Sequence, residues 1–214
     1  MKLYEKKWPP QAADSLINRR KDEGQRFADL ADDGDPVKRQ NQHIYAIYQQ
    51  HCERSGLVDF GELLLRACQL WRDNPDLLAH YRERFRHVLV DEFQDTNTIQ
   101  YQWVRWLSSG QNDVLIVGDD DQCVYGWRGS KVENIQRFAE DFPGTKTIRL
   151  EQNYRSTHNI LKAANALIAH NTGRLGKTLW TADGDGEPIQ LYNAFTEADE
   201  ARFVVERIRQ WIAN

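Results

Sequence analysis

The spacing of apolar residues predicts helices over most of the first 85 residues. Residues 1–56 are polar overall, and apolar side chains recur in them at helical intervals. One predicted helical face carries Ile44, Ile47, Tyr48 and Cys52. A polar loop at Asp32–Pro36 is expected to interrupt this segment, and Gly56 is expected to end it.

Two further helices are predicted before residue 86. Asp59, followed three positions later by Glu62, is typical of an N-terminal helix cap. The apolar face predicted for this helix consists of Phe60, Leu63, Leu64, Ala67 and Trp71. The pair Asn74–Pro75 begins the next helix, which is expected to run to about Phe85.

From residue 88 the pattern changes to short apolar runs separated by helical segments. The predicted strands are Val88–Val90, Val114–Val117, Thr147–Leu150 and a last one near Ile189–Tyr192. One helix is predicted at Thr98–Leu107, with Ile99, Trp103, Val104 and Leu107 as its core residues. A second follows a capping box formed by Ser130 and Glu133, a third is capped at Ser156 or Thr157, and a fourth runs from Glu197 to the end. This alternation predicts an α/β fold with a parallel sheet and crossover helices.

Composition narrows the class of protein. A net charge of −4 excludes a uniformly basic nucleic-acid coat, although it leaves room for a local groove that follows phosphates. No apolar run approaches the roughly 20 residues of a membrane span, so no membrane partner is expected. The three cysteines form no CxxC pair and are expected to be free thiols in a reducing compartment, which favours a cytoplasmic location. His51 beside Cys52 is a weak zinc pattern, and two helix-surface residues are the favoured interpretation.

Three polar segments follow predicted strands in succession. Asp91 and Glu92 end an apolar run, and a carboxylate pair at a sheet edge is suited to hold Mg²⁺ beside nucleotide phosphates. The three segments are DEFQD (91–95), VGDDDQCVYGWRG (117–129) and LEQNYRST (150–157). Each alone is explained by an acidic turn, a polar hairpin or a helix cap, but their order after consecutive strands is hard to obtain by chance.

Together these segments resemble motifs II, III and IV of superfamily 1 DNA helicases of the UvrD/Rep/PcrA group. Further similar segments are GLVDFGELLLRA, VENIQRF, RLGKTLW and DEARFVVERI. The resemblance implies a RecA-like P-loop NTPase parallel sheet with a helical insertion, made of partial domains. Residues 1–57 resemble the end of the helical 1B insertion, 58–149 the second half of domain 1A, and 150–214 the start of domain 2A.

The resemblance also implies an activity. The expected protein is an ATP-dependent 3′→5′ DNA helicase that couples ATP hydrolysis to translocation on single-stranded DNA and duplex unwinding, serving DNA repair. Its expected cofactors are ATP and Mg²⁺. Its expected partners are single-stranded and partially duplex DNA, together with DNA repair proteins.

Roles for single residues follow from their positions in the motifs. Asp91 is expected to hold Mg²⁺, and Glu92 to orient and deprotonate the attacking water. Gln122 is expected to sense the γ-phosphate, Tyr154 to stack on adenine, and Arg155 to act as an arginine finger. A surface salt bridge is the alternative for Arg155.

The resemblance also implies that the glycine-flanked turn carrying Tyr125, Trp127 and Arg128 stacks on bases of single-stranded DNA. A packed aromatic core is the alternative, but an arginine between Trp127 and Gly129 argues against full burial.

Gly173–Thr178, GRLGKT, partly imitates a phosphate-binding loop. The pattern requires glycine where Asn171 stands, and the segment follows a predicted helix rather than a strand. The resemblance implies that the true phosphate loop precedes these residues and that motifs V and VI are absent from them, so the chain is expected to be an interior piece of a longer helicase that binds ATP weakly or not at all and does not unwind DNA by itself.

Two other functions compete with this interpretation. The first is the helicase part of a RecB- or AddA-type helicase–nuclease, whose members usually read closer to GDPKQ than to the GDDDQ found at 118–122. The second is a non-catalytic DNA-binding remnant, favoured by the lack of a phosphate loop in these residues.

Overall fold

The computed structural model describes residues 8–31, 34–108 and 113–213, and these fall into two compact units that divide between Lys146 and Thr147. The first unit contains α1 (Pro10–Asp22), α2 (Pro36–Ser55), α3 (Phe60–Asp73), α4 (Pro75–Arg84), β1 (His87–Val90), α5 (Thr98–Ser108), β2 (Asp113–Ile116) and α6 (Glu133–Asp141). The second contains α7 (His158–Ile168) and α8 (Glu197–Ala213). The start of the loop predicted at Asp32–Pro36 lies outside the described residues, as does the last residue of the final predicted helix.

The sheet of the first unit is a pair of parallel strands joined by α5. Val88 lies opposite Val114 and Val90 opposite Ile116. The pairing extends past both strands, because Val117 N–H donates to the Val90 carbonyl (2.8 Å) and Phe93 N–H donates to the Val117 carbonyl (3.0 Å). The predicted parallel pair with its crossover helix is confirmed for these two strands.

The strands predicted at Thr147–Leu150 and Ile189–Tyr192 were wrong. Both segments are irregular and solvent-exposed, and the described part of the second unit contains only an isolated parallel bridge between Gln152 and Trp180. An apolar run becomes a strand only where a neighbour satisfies its N–H and carbonyl groups. Neither run has such a neighbour in the described residues of its unit.

The core of the first unit consists of small clusters around α5. Their buried members are Leu65, Cys68 and Ile99; Trp71, Val88 and Leu107; and Phe93, Tyr101 and Phe138. Trp103 stacks on Trp71 with ring centroids 4.8 Å apart. The predicted core face of α5 is thus confirmed, with Tyr101 as an additional buried residue.

The predicted apolar faces of α2 and α3 were partly wrong. On α2 the buried residues are Tyr45, Gln49 and Cys52. On α3 they are Glu62, Leu65, Cys68 and Trp71, whereas Phe60 is 89% exposed and Leu63 is 51% exposed. The buried face of α3 therefore differs from the predicted one. It includes a charged residue, Glu62, which a hydrophobic pattern assigns to the surface.

A buried ionic cluster fixes α1 against the start of α3. Lys21 Nζ lies 2.7 Å from Asp59 Oδ2 and 3.2 Å from Glu62 Oε2, and Arg26 donates to Glu62 Oε1 at 2.8 Å. Asp59 also accepts from the Glu62 N–H (2.7 Å), so the predicted helix cap is confirmed. Burial alone would raise the pKa of Glu62, but hydrogen bonds from Arg26 and Arg66 outweigh it and that pKa is lowered. Ionised Glu62 therefore stabilises the fold above about pH 4, and this contribution is lost as the pH falls further.

The capping box predicted at Ser130 and Glu133 was wrong. The Ser130 hydroxyl donates instead to the Asp95 carbonyl (2.9 Å), and α6 begins at Glu133 without a side-chain cap. Thr157 precedes α7 as expected, although its side chain makes no cap hydrogen bond.

Candidate functional site

The chain turns sharply where β1 ends. Glu92 adopts a left-handed backbone conformation with φ 49°, which no other non-glycine residue in the described ranges has. The Glu92 N–H donates to Asp91 Oδ1 at 2.9 Å, and both side chains are exposed. The sharp turn therefore places the predicted carboxylate pair together at the open edge of the sheet.

Gln94 connects this turn to the end of β2. Its side chain is 1% exposed, and its Nε2 donates to Glu92 Oε2 at 2.6 Å. Its Oε1 accepts from the Asp119 N–H at 2.9 Å. Gly118 lies so close that a Cβ atom there would stand 2.8 Å from Gln94 Oε1, so this approach requires glycine.

The predicted phosphate sensor lies on the same edge. The Gln122 amide donates to Asp119 Oδ2 at 2.7 Å, which holds it next to the segment that Gln94 contacts. Carboxylate oxygens of Asp119, Asp120 and Asp121 lie within 4.8 Å of one another. Asp91, Glu92 and Gln122 are thus brought to one sheet edge.

Asp91 and Glu92 line a cleft of about 370 Å³ whose other walls include Thr96 and Trp103. Exposed carboxylate oxygens are the ligands that Mg²⁺ takes in nucleotide sites, where it keeps several waters. The donor set at this edge therefore fits the metal expected from the sequence.

The aromatic turn, Tyr125–Gly129, is exposed. Trp127 is 80% exposed, and its ring centroid lies 6.4 Å from that of Tyr125 at an angle of 55°. The Arg128 guanidinium carbon lies 5.7 Å from the Tyr125 centroid and 5.6 Å from that of Trp127. A packed aromatic core at this turn is excluded.

This turn is anchored to the residues that follow the carboxylate pair. Ser130 bonds the Asp95 carbonyl, and the Lys131 N–H donates to the Thr96 carbonyl at 3.0 Å. Beneath it, Asp22 of α1 lies against Gly129. Burial raises the pKa of Asp22, while the charge of Arg128 opposes that shift.

Phe60 lies beside the aromatic turn but was not among the site residues predicted from the sequence. It lines a cleft of about 1180 Å³ together with Tyr125, Trp127, Arg128 and Lys131. The helical pattern assigned Phe60 to a buried face. Its position directly after the capping residue Asp59 was the available signal, because the first turn of a helix can point a side chain away from the core.

The second unit carries Tyr154 and Arg155, both exposed. The Tyr154 hydroxyl donates to Gln152 Oε1 at 2.9 Å, and Asn153 Oδ1 accepts from the N–H groups of Arg155 (2.9 Å) and Ser156 (2.7 Å). These bonds shape the turn before α7 and leave both predicted nucleotide-binding side chains at the surface of their unit.

Gly173–Thr178 does not form a phosphate-binding loop. The segment follows α7, Gly173 and Gly176 have positive φ, and the next helix, α8, begins only at Glu197. The Leu179 backbone beyond it bonds the Asn165 side chain instead. The expectation that this pattern is misleading is confirmed.

The three cysteines are free, as expected, but the expectation that Cys52 lies on a helix surface was wrong, because Cys52 is buried, as is Cys68. Burial raises the pKa of Cys68 to about 11. Among the described residues, no helix combines the length and apolar character needed to cross a membrane.

The fold and the site define a mostly helical protein with a small parallel two-stranded sheet, whose strand ends present carboxylates beside an exposed aromatic turn. The family model described as UvrD/REP helicase N-terminal domain matches residues 1–143, and that described as UvrD-like helicase C-terminal domain matches residues 148–214. The chain belongs to the UvrD/REP helicase family, which confirms the resemblance seen in its motifs.

Individual relatives agree with the family assignment. The chain is 63% identical over 214 residues to DNA helicase II of Escherichia coli (strain K12), covering 100% of this chain and 30% of that protein. It is 54% identical over 210 residues to DNA helicase II of Haemophilus influenzae, covering 98% of this chain and 29% of that protein. It is 47% identical over 165 residues to ATP-dependent DNA helicase PcrA of Staphylococcus epidermidis, covering 77% of this chain and 23% of that protein. The chain thus spans less than a third of the length of these relatives.

Proposed function

We propose that this chain forms part of the motor of an ATP-dependent 3′→5′ DNA helicase of the DNA helicase II type, acting in DNA repair. In this proposal the first unit belongs to a RecA-like domain 1A with the end of a 1B insertion, and the second unit starts domain 2A. Family membership and the high identity to DNA helicase II support it.

The nucleotide roles are assigned by residue. Asp91 holds Mg²⁺ at the sheet edge, and Glu92 orients and deprotonates the attacking water. Gln122 senses the γ-phosphate through its amide, Tyr154 stacks on adenine, and Arg155 stabilises charge that develops on the transferred phosphoryl group. The bound metal supplies neutralisation of phosphate charge.

The observation that carries the proposal is the attachment of the aromatic turn to the carboxylate segment. Ser130 and Lys131, directly after the aromatic turn, donate to the Asp95 and Thr96 carbonyls, so we expect a movement of one region to be transmitted to the other. In this proposal, these packed contacts couple hydrolysis at the carboxylate edge to movement of the DNA strand at the aromatic turn.

The proposal is tested with a hybrid helicase, in which this chain replaces its matching segment of E. coli DNA helicase II. We expect the hybrid to hydrolyse ATP in response to single-stranded DNA and to unwind a duplex with a 3′ tail, whereas a matched 5′-tailed duplex stays intact. A folded hybrid that binds DNA without hydrolysing ATP would instead support the non-catalytic alternative.

Replacing Trp127 with alanine is expected to weaken binding of single-stranded DNA by the hybrid about 5- to 150-fold, since base stacking contributes roughly 1–3 kcal/mol per base. Fluorescence anisotropy with a labelled oligothymidylate measures the affinity. Trp211→Ala is the matched control, because Trp211 is also exposed (72%) but lies on α8. Equal affinities for the two variants would refute the role of the aromatic turn.

A further inference from the structure

Gln94 lies between the two groups assigned to opposite ends of the hydrolysis site. Its amide nitrogen donates to Glu92 Oε2, and its amide oxygen accepts from the Asp119 N–H, while Asp119 in turn accepts from the Gln122 amide. An unbroken series of three hydrogen bonds therefore joins Glu92 to Gln122.

The position of Gln94 is tightly determined. The residue is 1% exposed, its backbone carbonyl accepts a weak hydrogen bond from Cys123 Sγ at 3.6 Å, and Gly118 packs so close that a Cβ atom there would lie 2.8 Å from Gln94 Oε1. A buried amide with both ends bonded has little freedom to rotate, because rotation would leave a polar atom unsatisfied.

Glu92, by contrast, is exposed and sits on a left-handed backbone, so its own packing does little to fix its carboxylate. The short bond from Gln94 is the contact that orients it. We propose that Gln94 is a positioning residue that holds the Glu92 carboxylate at a fixed position relative to the segment that carries Gln122. This inference rests on the proposed role of Glu92 in hydrolysis.

The test uses Gln94→Met in the hybrid helicase, because methionine fills the same space and removes both hydrogen bonds. We expect kcat for DNA-stimulated ATP hydrolysis to fall about 10²-fold while KM for ATP is unchanged, as for a misplaced reacting group. Gln136→Met, an exposed amide on α6, is the matched control and should retain full activity.

A double-mutant cycle separates positioning from a general structural effect. If Gln94 acts through Glu92, then Gln94→Met adds little to the loss already caused by Glu92→Gln, whereas independent effects multiply. Multiplying losses, or a normal kcat for Gln94→Met in an active hybrid, would overturn this inference alone. An unmodified hybrid that hydrolyses no ATP would overturn the proposed function itself.

A second variant covers the case in which Gln94→Met does not fold. Gly118→Ala disturbs the same amide by steric contact, because its added Cβ atom would lie 2.8 Å from Gln94 Oε1 and 3.3 Å from the Phe93 nitrogen. We expect it to lower kcat with KM unchanged, and full activity of this variant would contradict the positioning role.

Discussion

Glu92→Gln is expected to lower DNA-stimulated ATP hydrolysis by the hybrid helicase about 10²- to 10⁴-fold, the range supplied by a positioned general base. Glutamine keeps the size of the side chain and an oxygen that can still accept from Gln94. What it removes is the ability to take a proton from water at the sheet edge. Steady-state hydrolysis with saturating single-stranded DNA measures the loss.

The affinity for single-stranded DNA should stay unchanged in this variant, because the aromatic turn is anchored by the backbone of Asp95 and Thr96 rather than by Glu92. Glu140→Gln, which alters an exposed carboxylate on α6, serves as control for charge removal. Hydrolysis by Glu92→Gln within a few fold of the control would rule out its role as the base.

Glu62→Ala is expected to lower the free energy of unfolding of the chain by about 3–5 kcal/mol, since removing one partner leaves buried charges uncompensated. Lys21 would keep only Asp59 as a close counter-ion, and Arg26 would lose its 2.8 Å bond. Urea denaturation followed by circular dichroism measures the change.

Glu83→Ala provides the matched comparison, because Glu83 is exposed on α4 and should change stability by less than about 0.5 kcal/mol. A similar small effect for Glu62→Ala would show that water reaches the ionic cluster and that it does not stabilise the packing of α1 against α3.

Local patterns predicted those parts of the fold that depend on neighbours in sequence. The Asp59 cap, the start of α4 at Pro75 and the parallel pair with its crossover helix all rest on such short-range signals. The carboxylate pair and the exposed turn at Trp127 were likewise predicted, because residue type and spacing alone restrict what those segments can do.

Features that depend on distant partners were not predictable in this way. Thr147–Leu150 has the composition of a strand but no neighbour to pair with in the described second unit. Glu62 is buried because Lys21 and Arg26 reach it from 41 and 36 positions away, which no hydrophobic pattern records. The bridging contacts of Gln94 also depend on how two strand ends meet.

The left-handed backbone at Glu92 disfavours a non-glycine residue in the folded state, whereas the proposed chemistry requires a carboxylate at that position. Holding a non-glycine residue there costs about 1–3 kcal/mol, so selection for a stable fold alone would favour glycine. A Glu92→Gly variant is therefore expected to fold as well or better and, on the proposed role of Glu92 as general base, to lose ATP hydrolysis. A screen that scores only stability would then rank the replacement of Glu92 by glycine as an improvement.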